Sequence, residues 1–179
     1  VDTEGFRRCI SKGLEFVKGT SAVLTLGMRP TRPDTGYGYI QSGDASETEE
    51  ILKVKAFREK PNLETAEKYL KEGGYNWNAG IFMWDAATAE AAIREYEPEM
   101  AEIFDKIEPT LYSEKEQETV NELFPKCNKI SIDYAVMERL AGKGATLNGK
   151  EAGVYVLPSD FGWSDLGTWG SLYVQSDKD

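Results

Sequence analysis

Histidine does not occur in this chain of 179 residues. Its absence excludes Ser-His and Cys-His triads, histidine-ligated metal sites and general-base catalysis by imidazole. Cysteine occurs twice, at Cys9 and Cys127, in neither a CxxC nor a zinc spacing. Both are expected to be buried free thiols, since free cysteine behaves as a small hydrophobe. Long apolar runs are missing, so no transmembrane span fits. The opening VDTEGFRRCISKGLEF has no signal-peptide core, and a cytoplasmic location is the expectation. Cations are scarce: 21 Lys and Arg stand against 31 Asp and Glu, a net charge of −10. Binding nucleic acid needs a basic face, so that class is set aside. A small phosphorylated ligand is not, because exposed charges are screened over about 8 Å and a few lysines or a divalent cation suffice locally. The chemistry must rest on carboxylates, amines, backbone amides or a bound ion.

The remaining composition, 40% hydrophobic and 29% charged, is that of a folded globular chain long enough for one domain, residues 1–179. Apolar residues at helical spacing (Phe6, Ile10, Leu14, Val17) predict a helix over 3–18. SAVLTLGM (21–28) reads as a buried strand, and RPTRPDTGYGY (29–39) as a loop. GYIQ and ILKVKAF (51–57) read as hairpin partners turning near 42–44. A helix follows from Pro61-Asn62 to about Lys71, and Gly73-Gly74 breaks it. NAGIFMW (78–84) is a continuous apolar strand, and Asp85 caps a helix to about Tyr96. Helices also fit 97–107 and 113–123, and one capped by Ser131 with Tyr134, Val136, Met137 and Leu140 on its apolar stripe. Strands return at 145–147 and 154–157. This interleaving, without a linker or repeat, predicts an α/β domain with a mixed sheet. Such folds usually open with a strand and a phosphate-binding turn, whereas this one opens with a helix.

Five stretches could carry chemistry. TGYGYI (35–40) has glycines flanking an aromatic, which suits close backbone approach to a ligand or simply a tight turn. In FREKP (57–61), Glu59 and Lys60 end a strand, where open α/β sheets place ligands. A carboxylate can accept two hydrogen bonds from a sugar diol and an ammonium can meet a phosphate, although the pair also suits an exposed salt-bridged turn. In NWNAGIFMW (76–84), Asn78 offers an amide to a hydroxylated ligand, or simply forms the turn that starts a buried strand, and the Ala79-Gly80 pair keeps the space beside it small. DFGWSDLGTWGSLY (160–173) sets Asp165 in a glycine-rich corner that Trp163 and Trp169 would hold and Gly162 and Gly167 would bend. An oxygen ligand with few protein partners suits Mg²⁺, and a capped turn opening the 167–173 segment is the equal alternative. SIDYAVMER (131–139) reads first as a core-facing helix. Asp133 or Glu138 could face a site, but the spacing does not demand it.

Taken in order, TLGMRPTRPDTGYGYI, FREKP, WNAGIFMW, SIDYAVME and DFGWSDLGTW resemble the mannose-1-phosphate guanylyltransferases, or GDP-mannose pyrophosphorylases, of the sugar-phosphate nucleotidyltransferase superfamily. The likeness covers nearly the whole chain. Each motif is weak alone, and their order is specific. SIDYAVME and FGWSDLGTW point to the guanylyl, mannose branch. The resemblance implies a Rossmann-like nucleotide-diphospho-sugar transferase fold, with GTP and mannose-1-phosphate giving GDP-mannose and pyrophosphate by in-line attack. It further implies that Glu59 holds sugar hydroxyls and Lys60 the sugar phosphate. Gly38, Tyr39, Asn78 and Gly80 complete the pocket, Lys60 and Asp165 are catalytic, and Asp165 binds Mg²⁺. Two other readings remain: a glucose-1-phosphate enzyme using dTTP or UTP, and a non-catalytic sugar-phosphate-binding homologue.

The chain departs from the family pattern in two places. The glycine-rich, Arg-containing nucleotide loop and a second metal-binding aspartate are not in this sequence. The expectation is the C-terminal part of such a domain, with roughly the first hundred residues of the usual length outside it. These residues alone are then expected not to catalyse. They are also expected to expose a sheet edge, leading to a homodimer or to pairing with the N-terminal segment.

Overall fold

Eight consecutive uncharged residues, SAVLTLGM, make a strand that can be covered on both faces. The computed structural model describes residues 1–167 together with Trp169, Leu172, Tyr173 and Ser176. In it this strand, β1 (Ser21–Met28), is buried along its whole length. The other strands are β2 (Tyr39–Ala45), β3 (Leu52–Arg58), β4 (Tyr75–Met83), β5 (Ala145–Leu147) and β6 (Lys150–Ser159). The helices are α1 (Thr3–Val17), α2 (Leu63–Glu72), α3 (Ala86–Tyr96), α4 (Pro98–Ile107) and α5 (Glu116–Leu123). A wide π-turn, Asp133–Met137, then runs into the helical turn Glu138–Leu140. Caps set the helix starts: Asp2, Asn62 and Asp85 accept backbone N–H bonds from Gly5, Thr65 and Thr88 at 3.0, 2.9 and 2.7 Å. The fold is the expected α/β class with a mixed sheet.

Side-chain alternation along β1 divides the core into two layers. Val23 packs with Ile40, Val54, Phe57, α3 and the π-turn residues Val136 and Met137. Leu24, Leu26 and Met28 pack on the opposite face with Tyr39, Trp77, α1 and Ala66 of α2. Within the sheet, β1 runs parallel to β6 and antiparallel to β4, while β2 pairs antiparallel with both β3 and β4. Leu52 and Lys53 of β3 meet Val156 and Tyr155 of β6, so these ladders close a circuit, with three-residue β5 outside it on β6. Irregular register in β1 between Thr25 and Gly27, and in β2 after Gln41, supplies the curvature. Beyond Asn78, the described ladder of β4 runs to β1 alone.

Four expectations are corrected. Leu14 is 51% exposed, because Gly13 rather than Leu14 lies against the sheet, where an added Cβ would meet Met83 Sδ at 2.6 Å. The helix buries the face carrying Phe6, Ile10, Gly13 and Val17. Cys9 and Cys127 are free but only half-buried. β4 starts at Tyr75 rather than Asn78, because Gly73 and Gly74, both at positive φ, end α2 and turn the chain early. The helix predicted from Ser131 opens as a π-turn, and Tyr134 points to solvent while Val136, Met137 and Leu140 are buried.

The π-turn and its helical extension pack over β3, and Gly142 closes that contact. Its φ is +70°, and an added Cβ would land on the Lys55 carbonyl oxygen. Gly144, at φ +58°, faces open space. Gly142→Ala should therefore cost about 3 kcal/mol or more, and Gly144→Ala about 1 kcal/mol. Urea midpoints at constant m-value measure both, and equal shifts would contradict the packing described.

Candidate functional site

Five segments far apart in sequence line one groove of about 350 Å³: residues 36–38, 59–60, 78–80, 133 and 163–166. The register of β2 against β4 brings the first and third together, with Asn78 N–H donating to the Gly38 carbonyl at 2.8 Å. Gly38 must stay small. A Cβ there would approach Glu59 Oε2 to 2.5 Å and Asn78 Cβ to 3.2 Å. The loop before β2 is held from both sides. Asp34 accepts from Gly36 N–H at 2.8 Å and pairs with Arg32 at 2.7 Å. The Arg32 guanidinium lies 5.1 Å over the Trp77 ring. Tyr37 sets its ring edge-to-face with Trp77 at 5.0 Å and with Trp163 at 5.5 Å, joining this loop to the one carrying Asp165.

Glu59 follows the last residue of β3. Its side chain is only 10% exposed, and Oε2 is buried without a hydrogen-bond partner. Burial pushes its pKa above the ordinary value; the charges of Asp133 and Glu138 push the same way, and Lys60 opposes them. Lys60 Nζ stands 3.4 Å from Glu59 Oε1 and is 60% exposed, at a left-handed φ of +44° just before Pro61. The turn is anchored from below, where Glu59 N–H donates to Glu138 Oε1 at 2.8 Å. Asn78 Oδ1 accepts from Thr25 Oγ1 at 3.2 Å and from Gly80 N–H at 3.0 Å, and Asn78 Nδ2 donates to Asp133 Oδ1 at 3.0 Å. Gly80 itself, at φ +70°, faces open space.

Asp165 is exposed on the groove, and its Oδ1 accepts from Gly167 N–H at 2.9 Å. Among the described residues no three acidic or thiol side chains gather as a metal cluster.

The structure gathers Gly38, Glu59, Lys60, Asn78, Gly80 and Asp165 on this groove. Tyr39 is not on it. Strand alternation turns its ring to the opposite face, where it is fully buried and its hydroxyl donates to the Asp34 carbonyl at 2.9 Å. Of the two tryptophans expected to hold the Asp165 corner, Trp163 does so through Tyr37, while Trp169 is 86% exposed. Gly162 makes the bend at φ +71°; Gly167 has no positive φ. Thr168 and the remainder of the 167–173 turn, apart from Gly167, Trp169, Leu172 and Tyr173, lie outside the described residues. Thr25, Tyr37 and Asp133 also serve the groove. No local spacing singled out Thr25, whereas Asp133 and Tyr37 sit inside quoted motifs.

The chain matches the nucleotidyl transferase family over residues 8–179. It is 36% identical over 179 residues to a mannose-1-phosphate guanylyltransferase of Escherichia coli, covering 96% of this chain and 34% of that protein. It is 38% identical over 183 residues to the alginate biosynthesis protein AlgA of Pseudomonas fluorescens, covering 99% of this chain and 35% of that one. A crystal structure of a mannose-1-phosphate geranyltransferase from Thermus thermophilus superposes with a TM-score of 0.74 at 31% identity, over 97% of this chain and 46% of that chain. The chain thus spans about a third of the length of the curated relatives it matches. No helix of the described residues is long and apolar enough to cross a membrane.

A carboxylate buried near like charges, with one oxygen unpartnered, costs stability. Because the pKa of Glu59 is raised, the folded chain holds its proton more tightly than the unfolded chain does. The penalty is absent below the unfolded carboxylate pKa and grows as pH rises through the folded value. Glu59→Gln, which removes the buried charge, should therefore stabilise the fold by about 1 kcal/mol at pH 7 and by nothing near pH 3. Thermal melts at the two pH values test this, and a lower melting temperature for the variant at pH 7 would refute it.

Proposed function

The chain belongs to the nucleotidyl transferase family, and we propose that its groove takes mannose-1-phosphate in the reaction of a mannose-1-phosphate guanylyltransferase. In that reaction a phosphate oxygen of the sugar phosphate attacks the α-phosphorus of GTP. The bond from the α-phosphorus to the bridging oxygen breaks, and GDP-mannose and pyrophosphate result. The observation that carries the reading is the convergence on one groove of Glu59, Lys60, Asn78 and Asp165 from three separate segments. The names of the relatives support it.

The roles follow from the chemistry of each group. Glu59 lines the groove, and its carboxylate can accept hydrogen bonds from sugar hydroxyls. The Lys60 ammonium, exposed and paired with Glu59, meets the phosphate as a compact charge. Asn78 adds a hydrogen bond, and Gly80 and Gly38 keep the floor open. Asp165 would hold Mg²⁺, which supplies charge neutralisation between the reacting phosphates when bound. Nothing here needs an imidazole, because nucleotidyl transfer rests on positioning and electrostatic stabilisation rather than on a covalent enzyme intermediate.

Calorimetry of the protein carrying these residues tests the reading. Mannose-1-phosphate should bind with Mg²⁺ about tenfold more tightly than glucose-1-phosphate, since the two differ by one hydroxyl's orientation. Lys60→Ala should weaken binding by tenfold or more, and Asp165→Asn should remove the Mg²⁺ dependence. Equal affinity for both sugars would point instead to a groove without mannose preference. Unaltered binding by Lys60→Ala would remove that residue from the site.

A further inference from the structure

The π-turn Asp133–Met137 is the irregular element nearest the groove, and its hydrogen bonding explains an alignment that an α-helix would not give. Glu138 N–H donates to the Asp133 carbonyl, five residues back. At about 100° per residue, an α-helix would set residues five apart roughly 140° from each other. The wider turn brings them closer to one face. Both carboxylates then reach the site: Glu138 takes the Glu59 backbone N–H, and Asp133 takes Asn78 Nδ2.

The consequence falls on Asn78. Its carbonyl oxygen already accepts from Thr25 Oγ1 and Gly80 N–H. A backbone N–H can only donate and an ionised carboxylate can only accept, so these neighbours leave the amide a single orientation. One Nδ2 proton goes to Asp133 and one remains. We propose that Asp133 is a positioning residue of this groove, fixing the Asn78 amide so that it meets the sugar phosphate as a hydrogen-bond donor only. The identity of the ligand rests on the mannose-1-phosphate reading, whereas the locked amide does not. Asp133 also lines the groove beside Glu59, so a direct contact with the ligand is the rival role that the test must separate.

A double-mutant cycle in the protein carrying this chain makes the separation. Asn78→Ala and Asp133→Ala should each weaken mannose-1-phosphate binding about tenfold. The double variant should lose no more than Asn78→Ala alone. Asp133→Asn, whose side-chain carbonyl can still take the Nδ2 proton, should bind within about threefold of the unsubstituted protein. Losses that multiply in the double variant, or an Asp133→Asn as weak as Asp133→Ala, would mean that Asp133 touches the ligand itself and would overturn the proposal. A second readout needs no ligand. The two Asn78 side-chain amide proton resonances should move towards each other in Asp133→Ala and stay apart in Asp133→Asn. Resonances indifferent to Asp133→Ala overturn the locked amide whatever the ligand, while failure of the unsubstituted protein to bind mannose-1-phosphate overturns the functional reading instead.

Discussion

The hydrogen bond from the Asn78 backbone N–H to the Gly38 carbonyl joins two strands at the point where the groove begins, and the rest of the site depends on it. It holds a residue without a side chain over the Glu59 carboxylate, so that Glu59 can lie inward. It also fixes Asn78 at the height from which its amide reaches Thr25 behind it and Asp133 beside it. The aromatic contacts of Tyr37 with Trp77 and Trp163 then carry the same register out to the Asp165 loop. A one-residue slip of β2 against β4 would put Tyr39 where Gly38 stands and close the groove.

The electrostatics of the groove run against simple stability. Glu59, Asp133 and Glu138 crowd together in a chain that already carries a net charge of −10. Each has a partner: Asp133 accepts from Asn78, Glu138 accepts from the Glu59 backbone, and Glu59 Oε1 pairs with Lys60. Glu59 Oε2 is left without a hydrogen-bond partner, buried beneath Gly38. Lys60 offsets part of the negative charge, and the groove face of the turn stays polar while its backbone is anchored by Glu138. Groups that cost folding energy and face an open groove are the usual mark of a binding site.

Much of this was legible in the sequence because it depended on local pattern. The eight-residue apolar run of β1, the Asp85 cap and the strand-then-EKP order each follow from short-range rules, and the family motifs pointed to Glu59, Lys60, Asn78 and Asp165, which lie on one groove. What was not legible depended on partners far along the chain. Tyr39 looked like a pocket residue until alternation from Gly38 put it on the other face. Leu14 looked like a core position, but the close approach of α1 to Met83 admits only Gly13 there. The π-turn has no propensity signal, and the service of Asp133 and Thr25 to Asn78 spans 55 and 53 residues. Trp169 was expected to hold the Asp165 corner on residue type alone, and it is exposed.

The most direct test of the account is a crystal structure of the protein with mannose-1-phosphate bound. The account expects the sugar in the groove between Gly38 and Gly80, with hydroxyls on Glu59, an oxygen on Asn78 Nδ2 and the phosphate beside Lys60. A groove left empty at saturating ligand would contradict it. So would the sugar phosphate lodged in the second cleft of about 320 Å³, where Lys53, Lys55 and Lys143 gather.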